Sequence, residues 1–135
     1  MRRPVFFLVT MLFSVICQAD VRLDLLGRWV FESSNQNLPN KCRDSYLDFE
    51  SISNIVGSDG SRTVEIEYSA ESIEVGYNLI TQRVKSDGKP DCHGAPDDKQ
   101  DLGNLAFFFI VLSDDKRHMK FFFSKDMYYI YKRAD

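Results

Sequence analysis

Apolar and polar residues alternate along most of this chain with a period of two. Between Thr63 and Tyr68, the residues Val64, Ile66 and Tyr68 fall on one side and Glu65 and Glu67 on the other. That alternation predicts a half-buried strand. Gly27 to Glu32 reads the same way, with Trp29 and Phe31 sharing a face. Tyr46, Asp48 and Glu50 alternate with Leu47 and Phe49, and this strand is expected to continue through Ile52 towards Val56. Gly57-Ser58-Asp59-Gly60-Ser61 is a turn signal, because Asp-Gly takes positive φ at little cost. After Ser69-Ala70-Glu71 a longer strand is predicted, with Ile73, Val75, Tyr77 and Leu79 on one face. Gly76 inside it marks a bulge or sharp bend.

The densest apolar pattern lies from Leu105 to Tyr131. Leu105 to Leu112 and His118 to Phe123 read as two strands of a hairpin, each carrying a phenylalanine triplet. A five-residue turn centred on Asp115 sets Phe107 opposite Phe123, Phe108 opposite Phe122 and Phe109 opposite Phe121. Cross-strand aromatic pairs contribute roughly 0.2–1 kcal/mol each. Both faces of this ribbon are apolar, whereas a half-solvated ribbon needs only one. Ser124-Lys125-Asp126 turns the chain into a last strand, Met127 to Tyr131, followed by Lys132 and Arg133. Seven or eight short strands without long helical periods predict an all-β antiparallel meander, closed into a barrel or folded as a β-sandwich.

Two stretches depart from the pattern. Arg2 and Arg3 precede an apolar run from Val5 to Ile16, and Cys17-Gln18-Ala19 follows. This is the arrangement of an export signal, with residues 1–19 cleaved and residues 20–135 forming one domain. The run is shorter than the ~20 residues a membrane-spanning helix needs. The second stretch, Ser86 to Asn104, holds Gly88, Pro90, Gly94, Pro96 and Gly103 and has no period. A loop of that length in a small domain is usually functional or tied down.

Charge and cysteines narrow the picture further. The chain carries 17 basic and 20 acidic residues; without Arg2 and Arg3 the count is 15 against 20, a net charge near −5. The basic residues are scattered, which disfavours a nucleic-acid partner. No later segment is apolar enough to be an integral membrane span. The exported chain keeps Cys42 and Cys92, which are expected to form one disulfide in a periplasmic or secreted protein. Closing that loop stabilises the fold by roughly 3–4 kcal/mol in the chain-entropy account. Adjacent Cys92 and His93 make poor geometry for a metal site, so no metal or other cofactor is expected. With two histidines in the whole chain and no Gly-x-Ser-x-Gly elbow, no catalytic set assembles, and no enzyme is expected.

Gly27-Arg28-Trp29 at the start of the first strand resembles the Gly-x-Trp opening of the lipocalins and their calycin relatives. The resemblance implies a lipocalin-like barrel with Trp29 closing one end. It also implies a basic residue of the last strand, Arg133 or Lys132, packed across the indole, a contact worth ~0.5–2 kcal/mol. The Thr-Asp-Tyr type motif of that family is absent, and the chain is short for it. The implied function is an exported binding protein holding a small apolar molecule among Tyr68, Val75, Tyr77, Phe107, Phe109, Phe121 and Phe123. The competing expectation is a periplasmic inhibitor or immunity-type protein. It would meet a protein of the same compartment through the acidic loop, around Asp97 and Asp98, or through an exposed phenylalanine patch.

Overall fold

In the computed structural model, residues 23–98 and 101–135 are described; the expected export signal lies outside them. Eight strands follow in sequence: β1 (Gly27–Ser34), β2 (Tyr46–Phe49), β3 (Asn54–Ser58), β4 (Thr63–Ile73), β5 (Gly76–Ser86), β6 (Leu105–Leu112), β7 (His118–Ser124) and β8 (Met127–Arg133). Each pairs antiparallel with the next, and β8 returns to β1, with Trp29 opposite Arg133 and Phe31 opposite Tyr131. The meander therefore closes into a barrel, not a sandwich. Closure removes the sheet edges an open meander would expose. A 3₁₀ turn, Asn40–Asp44, sits in the β1–β2 connection.

One half of the barrel is solidly filled. Leu25, Trp29, Phe49, Ile55, Tyr68, Tyr77, Leu79, Ile110, Met119, Phe121 and Tyr131 form a single buried cluster. Trp29 is fully buried, and its indole N–H donates to the Leu25 carbonyl at 3.0 Å. The Arg133 guanidinium lies 4.1 Å from the centre of the indole. It also donates to the carbonyls of Leu26 (2.7 Å), Lys116 (2.9 Å) and Asp24. This one side chain joins the segment before β1, the β6–β7 turn and the last strand.

Three expectations are corrected. The phenylalanine hairpin is shifted by one residue: Phe109 faces Phe122 and Ile110 faces Phe121. The turn is tighter than the spacing suggested, because the Ser113 N–H donates to the His118 carbonyl and Lys116 takes a φ of 60°. The Asp115 carboxylate holds it by accepting from the Ser113 hydroxyl and the Arg117 N–H. The shift sorts the rings onto opposite faces. Phe121 turns inward with Phe108 (ring centres 5.0 Å apart), while Phe109 and Phe122 pair outside at 5.7 Å. Next, β4 does not end near Ser69. Its inward alternation runs on through Ala70, and the chain reverses at Glu74–Val75, between paired Ile73 and Gly76. Ser69-Ala70-Glu71 contains none of the residues that favour positive φ. Gly76 is required by close approach, since a Cβ there would stand 2.1 Å from the Ile110 carbonyl oxygen. Finally, β2 and β3 are separate strands, because the Ser51 hydroxyl accepts from the N–H groups of Ser53 and Asn54 and turns the chain between them.

Candidate functional site: the open mouth of the barrel

The end opposite Trp29 is built differently. There the β1–β2 connection, the β3–β4 turn and the long β5–β6 loop meet. Cys42 and Cys92 are joined by a disulfide, with a Cα–Cα distance of 5.1 Å, which ties the first connection to the long loop. Asp59 of the β3–β4 turn accepts from the Cys92 N–H at 3.0 Å and from the N–H groups of Ser61 and Arg62 at 2.9 Å. Arg62 in turn donates to the carbonyls of Lys89 and Ala95. The loop is thus tied down from below as well as covalently.

Beneath it the barrel is not full. A half-open cavity of about 410 Å³ lies among Val64, Ile66, Thr81, Arg83, Ala106 and Phe108. A second, of about 230 Å³, lies against Leu47, Gly57, Phe123, Tyr129 and Tyr131. Val64, Ile66 and Arg83 line both. The space has a simple origin. Gly57 and Ala106 stand at inward positions of β3 and β6, where larger side chains would fill the lumen as they do lower down. Burial pushes the Tyr131 hydroxyl well above the ordinary phenol range, and it shares a hydrogen bond of 2.9 Å with the Ser45 hydroxyl. Burial, and secondarily the Asp59 charge, raises Tyr129 in the same direction.

The charged groups of the mouth are internally matched. Asp97 reaches in from the long loop, its side chain 8 % exposed. One oxygen accepts from the Ser86 hydroxyl at 2.6 Å; the other stands 3.5 Å from both the Arg62 and Arg83 guanidinium groups. Arg83 Nη1 and Asp97 Oδ1 are buried and make no hydrogen bond among the described residues.

The expected ligand positions scatter. Phe123 lines the inner cavity. Tyr68, Tyr77 and Phe121 belong to the packed half, with the Tyr68 hydroxyl donating to the Ser51 carbonyl. Val75 sits in the β4–β5 turn, 65 % exposed, and not on an inward strand face. Phe107 and Phe109 point outward and line a surface shelf of about 480 Å³ with Phe122 and Lys125. The acidic loop does not present a free row of carboxylates: Asp97 is turned inward, and Asp87 and Asp91 accept from N–H groups of Lys89, Thr63, His93 and Ala95. Those hydrogen bonds hold both carboxyls below their ordinary range. Cys42, Cys92 and His93 lie close enough to suggest a metal cluster, yet both sulfurs are spent in the disulfide. His118 is exposed, 3.5 Å from Glu32.

Sequence reasoning missed Arg62, Arg83, Thr81 and Ala106. One signal was present: Tyr77, Leu79, Thr81 and Arg83 continue a period of two, so a charge falls on the buried face of β5. No helix among the described residues is long and apolar enough to cross a membrane. Comparison with protein-family models, curated proteins and solved structures found no match.

Proposed function

We propose that this chain is an exported, lipocalin-like binding protein, without catalytic activity, that takes a small molecule of largely apolar body into the mouth of its barrel. The observation that carries the reading is the asymmetry of the lumen. The half under Trp29 is packed, while the opposite half holds two adjoining cavities walled by Phe108, Phe123, Tyr129 and Tyr131. Concave, mostly apolar space with few polar groups is the usual form of a small-ligand site. The disulfide fits a compartment outside the reducing cytoplasm.

The test uses N-phenyl-1-naphthylamine, a neutral apolar fluorophore, titrated into the disulfide-bonded chain. Saturable 1:1 binding is expected, weakened at least about tenfold by Ala106→Trp, which fills the larger cavity. Phe107→Ser, on the outer shelf, leaves it unchanged. The exposed outer face supports a second reading, an inhibitor or immunity-type protein docking through Phe107, Leu105 and Ile80, which are 68 %, 61 % and 42 % exposed. Loss of probe binding in Phe107→Ser with none in Ala106→Trp favours that face; no saturable binding refutes the mouth as a ligand site.

A further inference from the structure

The strands of the barrel divide their charges unevenly. Every carboxylate between Gly76 and Arg133 lies in a connection; β5, β6, β7 and β8 themselves contain none. The strand carboxylates are Glu32 on β1, Asp48 on β2 and Glu65, Glu67 and Glu71 on β4. Lysines mark the other side. Lys120 stands 4.0 Å from the centre of the Tyr128 ring and 5.3 Å from that of Phe122. Lys132 lies opposite Val30 on β1 and His118 on β7, and Lys125 sits in the β7–β8 turn. None of these three lysines is ion-paired among the described residues. Their basic neighbours are matched: His118 is 3.5 Å from Glu32, and Lys85 lies opposite Glu65.

Around these lysines the outer surface is apolar. Ile80, Leu105, Phe107, Phe109, Phe122 and Ile130 share the outward faces of four adjacent strands. β6 pairs with β5 from Leu105 onward but with β7 only from Phe109 to Leu112. The two strands part beyond Phe109, and the parting leaves the outer shelf of about 480 Å³, lined by Lys125 as well as by the rings. Exposed apolar patches bordered by charge mark protein or membrane contacts. A protein interface uses about one hydrogen bond per 100–200 Å². This face, the convex outside of a closed barrel, offers few hydrogen-bonding groups besides its lysines, Asn78 and the Tyr128 hydroxyl among them. Apolar depth with unmatched cations suits a lipid surface carrying negative charge better.

We propose that the outer face of β5–β8 docks on an anionic lipid bilayer. Phe107 and Leu105 enter the boundary between head groups and acyl chains. Lys120, Lys125 and Lys132 lay their stems along apolar surface and carry their ammonium groups to the lipid phosphates. The chain lies on the bilayer and does not span it. Its 20 acidic residues outnumber its 17 basic ones, so attraction depends on which side meets the lipid. This orientation turns β2 to β4, with Asp48, Glu65 and Glu67, away from the surface. The docking is independent of what the mouth takes.

The experiment is flotation of the full disulfide-bonded chain with vesicles of phosphatidylcholine, alone or mixed with phosphatidylglycerol. Binding to the mixed vesicles is expected to be at least about tenfold stronger, and to fall at about 1 M salt, where charges act over only ~3 Å. Lys120→Gln, Lys125→Gln and Lys132→Gln together should weaken it about 100-fold, about fivefold per lysine. Phe107→Ser should weaken it at least about tenfold. The urea midpoint, followed by Trp29, checks that both variants stay folded. Insertion is read separately: the emission of Phe107→Trp should shift to the blue on mixed vesicles. Asn54→Trp, exposed on β3 across the barrel from β7, should show no shift. No binding by the parent chain overturns the proposal, as does equal binding to neutral vesicles. Binding that survives both variants belongs to another part of the chain and overturns it too. A protein held through Phe107 by a chain that ignores vesicles assigns the face to that protein and overturns it likewise.

Discussion

Replacing Arg133 by Met should destabilise the barrel far more than a surface charge normally does. The perturbation keeps a side chain of similar reach across Trp29 and removes only the guanidinium. Its loss forfeits the contact with the indole at 4.1 Å and the bonds to the Leu26 and Asp24 carbonyls, both partly buried. The bond to the Lys116 carbonyl is exposed and counts for little, since water replaces it. The indole contact contributes ~0.5–2 kcal/mol and each partly buried bond about 1 kcal/mol, so the total is about 2–4 kcal/mol. Desolvation offsets part of this, and it already lowers the pKa of Arg133 from its ordinary range. The assay is urea unfolding followed by the fluorescence of Trp29, the sole tryptophan and fully buried. The midpoint should fall with the slope unchanged. Arg133→Lys should recover about half of the loss, because an ammonium keeps the charge over the ring but cannot reach all three carbonyls. A change below ~0.5 kcal/mol in Arg133→Met, the ordinary range for surface substitutions, refutes the claim that this residue closes the barrel end.

Two further outcomes follow from the same structure. Cys42→Ala with Cys92→Ala releases a loop of sequence separation 50, which costs about 4 kcal/mol in the chain-entropy account and is measured by the same unfolding assay. The pH dependence at the alkaline end should come largely from Tyr131. Its folded pKa is raised above the ordinary 10.0 by burial, so the unfolded chain loses that proton first. Stability is therefore fully present below about pH 10 and declines above it. Tyr131→Phe should flatten the decline while costing about 1 kcal/mol at neutral pH through the lost Ser45 bond; an unchanged alkaline slope contradicts the assignment.

The contact across Trp29 was implied only by the resemblance of Gly27-Arg28-Trp29 to the lipocalin opening, which left Arg133 and Lys132 as alternatives; pairing of the last strand with β1 sets Arg133 over the indole. The pairing of Cys42 with Cys92 was readable by count. The phenylalanine hairpin was readable as a hairpin but not in its register. Residue type alone does not distinguish a five-residue turn from the tighter one that Asp115 and Ser113 tie. Since one residue of slip exchanges faces, Phe107 and Phe109 moved from expected ligand contacts to the outer surface.

Alternation and hairpin-length turns determined the class of this protein, short strands in an antiparallel meander, because a period of two is imposed by the pleat and needs no knowledge of neighbours. The mouth was decided only by tertiary structure. Whether Gly57 and Ala106 leave space depends on what seven other strands bring opposite them. Whether Arg83 and Asp97 stand close depends on a shift in pairing between Glu65 and Ile66 and on a loop held by its disulfide. Packing and charge matching are properties of pairs of residues distant in sequence, and a one-dimensional pattern does not contain them.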